Sequence, residues 1–330
     1  MIDVSFVIVS WNAREHLVKC LDSIAETVHD LEYEVIVVDN ASSDGSPEAV
    51  AADYAEVNLI QTGANLGFAR GNNVGIRESQ GRYLCLINSD VVLLPECVTR
   101  LRAFMDENDA IGMVGPRVLN PDGSLQPSCR RLPTLFRTFC SAVGVSSLFP
   151  RSSALGGTFM TWWNHDEQRP VDVVSGCFMM LRREAADEIG LFDEDFFMYG
   201  EDIDWCRRFR ANDWPVIFYP DAEAIHYGGA SSSNQPAAFF LVMQQARLRY
   251  WKKHHSLFSA FVLLDLMLLH HGLRIVGQSA LLLLGRGNRR LRAHKVRRSW
   301  ATIAWILTGA GLTDGQQHGF DLHSEMEAKS

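Results

Sequence analysis

Short apolar runs alternate with segments whose apolar residues recur every three or four positions through the first third of the chain. Val4-Ser5-Phe6-Val7-Ile8-Val9-Ser10 is nearly continuous in apolar and β-branched residues, the pattern of a strand covered on both faces of a parallel sheet. Residues 13 to 28 follow with helical periodicity, Leu17, Cys20, Leu21 and Ile24 falling on one side. Glu34 to Asp39 reads as a second strand that ends on an acid, and Val57 to Gln61 as a third. Arg82 to Ile87 reads as a fourth. Between them, Ser46-Pro47 is a helix start, Ala69 to Ser79 a helix, and Pro95 opens another. Alternating strands and helices predict an α/β domain with a mostly parallel sheet flanked by helices.

Beyond the turn Asn120-Pro121-Asp122-Gly123 the periodicity weakens. Residues 127 to 170 are rich in Pro, Ser, Gly and aromatics, which predicts a long, partly mobile loop region. Val171 to Leu181 predicts a long strand or a strand pair. An acidic helix starts at Glu201, Val216 to Tyr219 is a strand, and Ala224-Ile225-His226-Tyr227-Gly228-Gly229 closes the α/β part.

From about residue 237 the pattern changes to long apolar helices carrying Arg, Lys, His and Trp, so the chain divides into an α/β domain, 1–236, and a helical extension, 237–330. Leu257 to Leu284 is apolar enough to raise the question of a membrane span. Asp265, His270, His271 and Arg274 interrupt it, and a charge at a bilayer centre costs roughly 2.5–3.5 kcal/mol. Amphipathic helices lying on an anionic membrane surface fit better; a homo-oligomer contact or a cover for the α/β core is the other use of such a tail.

Composition sharpens this. The net charge is −8, which argues against a general nucleic-acid binder, but it is uneven. From Arg247 to Arg298 twelve Lys/Arg face Asp265 alone, about +11, which leaves the remainder near −19. The seven cysteines are odd in number, scattered and mostly within apolar runs, as expected of buried thiols in a reduced, cytoplasmic setting. The N-terminus enters a strand directly, and no cleavable leader is expected.

Ligands of open α/β sheets sit beyond the carboxyl ends of the strands. Asp39 and Asp90 both lie at such ends, which is the reason to treat them as one site. Asn88-Ser89-Asp90 is, taken alone, as much a turn as a ligand site; Asp90 can supply one of the hard oxygens that Mg²⁺ or Mn²⁺ takes beside phosphate oxygens. His226 is either a structural imidazole or a ligand approached closely through the glycines after it. Glu201-Asp202 is either a helix cap, worth about 0.3–1 kcal/mol against the dipole, or a proton acceptor pair. Asp204 reads as a solvated or ion-paired helix residue. Asn65 to Gly75 is a Gly/Asn-rich strand-to-helix turn with Arg70 on it, but its spacing is neither the dinucleotide fingerprint nor a P-loop.

The order of these elements carries more than any one of them. Val7-Ile8-Val9-Ser10-Trp11-Asn12, Val37-Val38-Asp39-Asn40-Ala41-Ser42, Asn65-Leu66-Gly67-Phe68, Asn88-Ser89-Asp90, Gly200-Glu201-Asp202 and His226-Tyr227-Gly228-Gly229 follow one another as in family-2 glycosyltransferases. Over residues 3 to 232 the chain resembles the bacterial rhamnosyltransferase branch. The resemblance implies a GT-A fold, a nucleotide-diphosphate sugar donor, a divalent metal (Mg²⁺ or Mn²⁺) and inversion at the anomeric carbon. It implies Ser10 and Asn12 under the nucleotide, Asp39 and Asn40 at its base or ribose, and Arg70 and Asn73 along the donor pocket. Asn88 would touch ribose or a metal-bound water, and Gly176 would stand between donor and acceptor. Asp90 and His226 would hold the metal. Asp202 would be the general base, with Glu201 bonded to the acceptor sugar. Asn88 stands where the family's Asp-x-Asp motif has its first acid, which removes a charge beside the cation.

The donor expected first is dTDP-rhamnose, then a UDP-sugar. The acceptor expected is a hydroxyl of a lipid-linked glycan in cell-surface polysaccharide assembly, at the inner face of the bacterial membrane. Two other readings stand beside this one. A sugar-1-phosphate nucleotidyltransferase would carry a Gly-rich loop after the first strand, where Trp11-Asn12-Ala13-Arg14-Glu15 has no glycine. A non-catalytic GT-A-fold membrane scaffold would not need Asp90, Asp202 and His226.

Overall fold

The computed structural model describes residues 2–229 and 236–308. The strands are β1 Val4–Ser10, β2 Tyr33–Asp39, β3 Asn58–Gln61, β4 Tyr83–Asn88, β5 Val91–Leu93, β6 Met113–Leu119, β7 Cys129–Arg130, β8 Arg169–Pro170, β9 Val173–Val174, β10 Phe178–Arg182 and β11 Val216–His226. The helices are α1 Arg14–Thr27, α2 Ser46–Asp53, α3 Gly67–Glu78, α4 Cys97–Glu107, α5 Leu135–Ala142, α6 Val145–Leu148, α7 Arg183–Ile189, α8 Glu201–Ala211, α9 Pro236–His254, α10 Leu257–Leu283 and α11 Arg289–Leu307.

The central sheet runs β3-β2-β1-β4-β10-β6-β11-β5, with β8 added beside β11. β1 to β4 are mutually parallel; β10 is antiparallel to β4 and to β6, and β11 runs parallel to β6. The continuous apolar runs follow from burial on both faces. Val4, Phe6 and Ile8 of β1 pack into one core with Leu17 and Leu21 of α1, while Val7 between them packs into the other with Ile76 of α3 and Trp205 of α8. Tyr83, Cys85 and Ile87 divide from Leu84 and Leu86 in the same way.

The structure corrects or narrows four expectations. Residues 127 to 170 hold β7, α5, α6 and β8: Arg130 pairs with Val173, and Thr134 caps α5 through a bond from Arg137 N–H. Val171 to Leu181 is two strands in two sheets, parted at Ser175-Gly176, because β9 pairs with β7 and β10 joins the main sheet. The strand expected at Val216 to Tyr219 runs on through Ala224 to His226 as β11, with a register shift between Tyr219 and Glu223. Among the described residues the tail forms three helices. Tyr250, Trp251, Leu263 and Met267 enter the same core as Val7.

Residues 230–235, next to the expected boundary at 236, and 309–330 lie outside the described residues. All seven cysteines are buried and free. Among the described residues one helix, α10, is long and apolar enough to cross a membrane.

Candidate active site

The topology brings distant segments to one edge of the sheet. Ser10 ends β1, Asp39 ends β2, Asn88 ends β4 and His226 ends β11. Because β10 runs antiparallel, the residues before it, Gly176 and Cys177, lie at that edge too. Cys177 C=O accepts from the Asn88 N–H at 2.9 Å. A cleft of about 290 Å³ opens there. Asn40, Asn88, Asp90, Gly176, Glu201, Asp202 and His226 all line it, so the three segments at 90, 202 and 226 share one cavity.

The turn before α8 sets the two acids. Tyr199 (φ 69°) and Gly200 (φ 83°) are both left-handed, and the tyrosine carries strain there that the surrounding structure must hold. Gly67 supports the turn from the other side. A Cβ on Gly67 would meet Phe197 O at 2.3 Å, and the next residue, Phe68, donates its N–H to that same oxygen at 2.7 Å. Only glycine allows this approach, at φ +80°.

Asp202 Oδ1 accepts from Ile203 N–H at 2.8 Å and Oδ2 from Gly176 N–H at 3.2 Å. Glu201 Oε2 is buried and makes no hydrogen bond. Burial first, then the adjacent Asp202 charge, pushes the Glu201 carboxyl up to about 8.

Asp90 and His226 face each other, Oδ1 to Nε2 at 3.2 Å, and Tyr227 N–H binds the Asp90 carbonyl at 3.0 Å. Gln126 orients the imidazole. Its amide nitrogen donates to Asn120 Oδ1 and to the His226 carbonyl, at 2.8 and 3.1 Å, so its oxygen is the atom 2.6 Å from Nδ1. Nδ1 therefore carries a proton, and Nε2 faces Asp90, with Asn88 Nδ2 at 3.4 Å. Among the described residues no group of three or more His, Cys, Asp and Glu side chains converges as a metal cage. Asp90 with His226 suits a hard divalent cation that takes its other positions from ligand oxygens or water, and the Gln126 bond is the outer support such an imidazole uses.

The nucleotide-side residues divide. Ser10 and Asp39 are register partners across β1 and β2, and Ser10 Oγ and Asp39 Oδ1 are buried without hydrogen-bond partners. Buried polar atoms left over at the carboxyl edge are what a polar ligand would satisfy. Asn40 donates to Gly67 O at 3.0 Å, fixing the strand end to the α3 turn. Asn12 (φ 50°) accepts from Ser43 N–H and donates its own N–H to Ser42 Oγ, so it ties two loops together.

Arg70 and Asn73 lie elsewhere. Asn73 is buried and binds Phe192 N–H, Phe192 C=O and Glu194, and Arg70 is exposed and directed at Glu194. Both point from α3 toward the segment before the acid turn, and neither lines the cleft.

Several residues of the site carry no usable signal in the sequence. Arg130 is hidden in a stretch that reads as loop. Gln126 follows a hairpin turn with no motif around it. Phe239 comes from α9 and meets Trp11 at 6.2 Å between ring centres, so the extension helps wall the cleft. Asp204, expected at the surface or in an ion pair, is fully buried. Burial pushes its carboxyl up, but hydrogen bonds from His254 and Lys253 and the Arg208 charge outweigh it and hold it at about 2.

Comparison with known proteins identifies the family. Residues 5–190 match the family described as Glycosyl transferase family 2. An N-acetylglucosaminyl-diphospho-decaprenol L-rhamnosyltransferase of Mycobacterium tuberculosis is 30% identical over 265 residues, 76% of this chain and 84% of that protein. The dTDP-rhamnosyl transferase RfbF of Shigella flexneri is 26% identical over 230 residues, 68% of this chain and 69% of that one. The mannosyltransferase PcManGT of Pyrobaculum calidifontis, solved with GDP-mannose and Mn²⁺, shares the fold with a TM-score of 0.51 at 17% identity, covering 94% of this chain and 82% of that one. The chain belongs to glycosyltransferase family 2, in its rhamnosyltransferase branch, and is a glycosyltransferase.

Proposed function

We propose that the chain is a metal-dependent inverting hexosyltransferase. It moves rhamnose from dTDP-rhamnose, or failing that the sugar of a UDP-sugar, to a hydroxyl of a lipid-linked glycan in cell-surface polysaccharide assembly. The observation that carries this is the single cleft lined by Asp202 on one side and by Asp90 with His226 on the other. The names of the mycobacterial and Shigella relatives support rhamnose and a diphospho-polyprenol acceptor.

A sugar hydroxyl is a weak nucleophile at neutral pH. Asp202 removes its proton as the new C–O bond forms, a contribution of about 10²–10⁴ in rate. Attack from the Asp202 side, opposite the departing diphosphate, inverts the anomeric carbon without a covalent sugar–enzyme species. Asp90 and His226 would hold Mg²⁺ or Mn²⁺, which when bound neutralises charge on the diphosphate. Ser10, Asp39 and Asn40 receive the nucleoside, and Gly176 separates the two substrates.

In this reading residues 1–236 carry the chemistry and 237–330 place it at the inner, cytoplasmic face of an anionic membrane. The support is that Phe258, Phe261, Val276 and Leu283 are exposed on α10, which packs against the Arg-rich α11. The test of the reaction is nucleoside diphosphate release from dTDP-rhamnose and from UDP-sugars, with and without N-acetylglucosaminyl-diphospho-polyprenol. Acceptor-dependent release of dTDP with an inverted product anomer supports the assignment, and release of inorganic pyrophosphate instead contradicts it.

A further inference from the structure

Glu201 and Asp202 are adjacent acids, each 5% exposed, but their oxygens are provided for unequally. Asp202 has a backbone N–H on each oxygen, and Arg130 Nη1 stands 3.7 Å from Oδ2. Glu201 Oε2 has no donor at all. A buried carboxylate oxygen without a donor costs several kcal/mol if it carries charge, and much less if the group is a neutral acid.

We propose that Arg130 is the positioning residue that divides the two acids: its guanidinium keeps Asp202 as the carboxylate that takes the acceptor proton, and leaves Glu201 a neutral acid whose O–H donates into the cleft. The inference rests on the glycosyltransferase reading for the identity of that acceptor.

The fold fixes Arg130 for this role. Arg130 pairs with Val173 on β9, and Ser175-Gly176 follow directly, so one strand pair delivers both the guanidinium and the Gly176 N–H to the same oxygen. The Arg130 Cζ lies 5.6 Å from the Phe159 ring centre, and its Nε is buried without a hydrogen bond. At 3.7 Å the ion pair is loose, not the bidentate bridge that would occupy both oxygens and leave no lone pair for a substrate hydroxyl.

The Arg130 charge also draws Glu201 down, but burial and the adjacent Asp202 charge outweigh it and keep the Glu201 carboxyl raised. Asp204 on the same helix is neutralised on its far side by Arg208, Lys253 and His254. Asp90 across the cleft faces His226. Burial pushes the Cys177 and Cys206 thiols up, so they stay protonated. In the reaction the acceptor O–H proton goes to Asp202, the acceptor oxygen bonds to the anomeric carbon, and that carbon's bond to phosphate oxygen breaks with its electrons leaving on the diphosphate. Glu201 keeps its proton.

The test uses the full chain and the variants Arg130→Gln and Arg130→Lys. Selective ¹³C-carboxyl labelling follows the titration of Glu201 and Asp202 by NMR without any substrate. Rates with dTDP-rhamnose and N-acetylglucosaminyl-diphospho-polyprenol give the pH profile of kcat/KM. The expected result is a protonated Glu201 at about pH 6.5 in the wild type. In Arg130→Gln the acid limb should rise by about one pH unit, a loss of about tenfold on that limb that recovers at higher pH. Arg130→Lys should keep most of the wild-type profile, and the KM for dTDP-rhamnose should stay within about twofold in both.

An equal loss for Arg130→Gln at every pH, or an ionised Glu201 at that same pH in the wild type, overturns the proposal. If Arg130→Gln does not fold, the wild-type titration and Arg130→Lys decide it. Absence of transfer by the wild type would count against the substrate reading alone, since the carboxyl titration judges Arg130 independently.

Discussion

Asp204 Oδ1 and His254 Nε2 meet at 2.6 Å, joining the helix that carries the candidate catalytic acids to the last turn of α9 in the C-terminal extension. Lys253 Nζ reaches the same oxygen at 2.8 Å, and Arg208 Nε binds Oδ2 at 2.9 Å. The carboxylate is fully buried, so the extension is a structural part of the acid helix rather than an attachment to it. Asp204→Asn leaves two cations and an imidazole facing a neutral amide and should cost about 3 kcal/mol.

The sign with pH follows from the lowered carboxyl. The folded value, about 2, lies below the ordinary 3.8, so the stabilisation is complete above about pH 4 and is lost as the pH falls toward 2. The gap between wild type and Asp204→Asn in thermal melts should therefore be widest near neutral pH and should close between about pH 4 and 2. A gap that does not change with pH would refute the assignment.

Gly67 is the hinge between the nucleotide side and the acid turn. Gly67→Ala forces a methyl against Phe197 O at a positive φ. The expected cost is about 1–3 kcal/mol, read as a lower melting temperature together with weaker nucleotide binding, because the α3 turn and the acid turn must separate. Gly63 serves as the control, since a Cβ there would meet nothing within 4 Å although its φ is +72°. Gly63→Ala should show the backbone strain without the loss of nucleotide binding.

Gln126 sets which nitrogen of His226 is free. Gln126→Leu removes the acceptor at Nδ1 and should weaken Mn²⁺ binding in the presence of dTDP by about 10–100-fold, with little change in melting temperature. Asp90→Ala should abolish that binding. Calorimetry with Mn²⁺ and dTDP reads both, and unchanged affinity in either variant contradicts the metal assignment.

The membrane reading is best tested by charge. Deleting the chain after residue 240 would uncover the core and break the Asp204 network; losing Trp251 alone should cost about 3–5 kcal/mol. Arg289, Arg290 and Arg297 lie on α11 and can be changed to Gln together. At about 1 kcal/mol per cation, binding to phosphatidylglycerol vesicles should fall roughly 100-fold, and binding to phosphatidylcholine should stay as it was. Equal binding by the triple variant would assign the basic helix to another partner.

The fold is readable where burial on both faces produces an unbroken apolar run, as in β1, β2 and β4, and where a strand ends on an acid or amide. Asp39, Asn40 and Asn88 are legible for that reason, and Asp90 and His226 stand out in the turn and at the strand end beside them. Asp202 and Glu201 are legible only beside the aromatic turn before them. Arg130 and Gln126 are not, because a two-residue strand and a side chain bonded across a hundred residues leave no periodicity. Arg70 and Asn73 mislead for the opposite reason. A Gly/Asn-rich turn with an arginine looks like an anion cradle, but the helix carries both side chains round to the 192–194 segment. That α9 is tied to α8 is not legible either, because the Asp204–His254 contact spans 50 residues.

The most direct measurement of the central claim compares wild type and Asp202→Asn for acceptor-dependent dTDP release and for dTDP binding. The account predicts transfer reduced by about 10²–10⁴-fold with dTDP affinity within about twofold of wild type. Transfer at the wild-type rate in Asp202→Asn would contradict it.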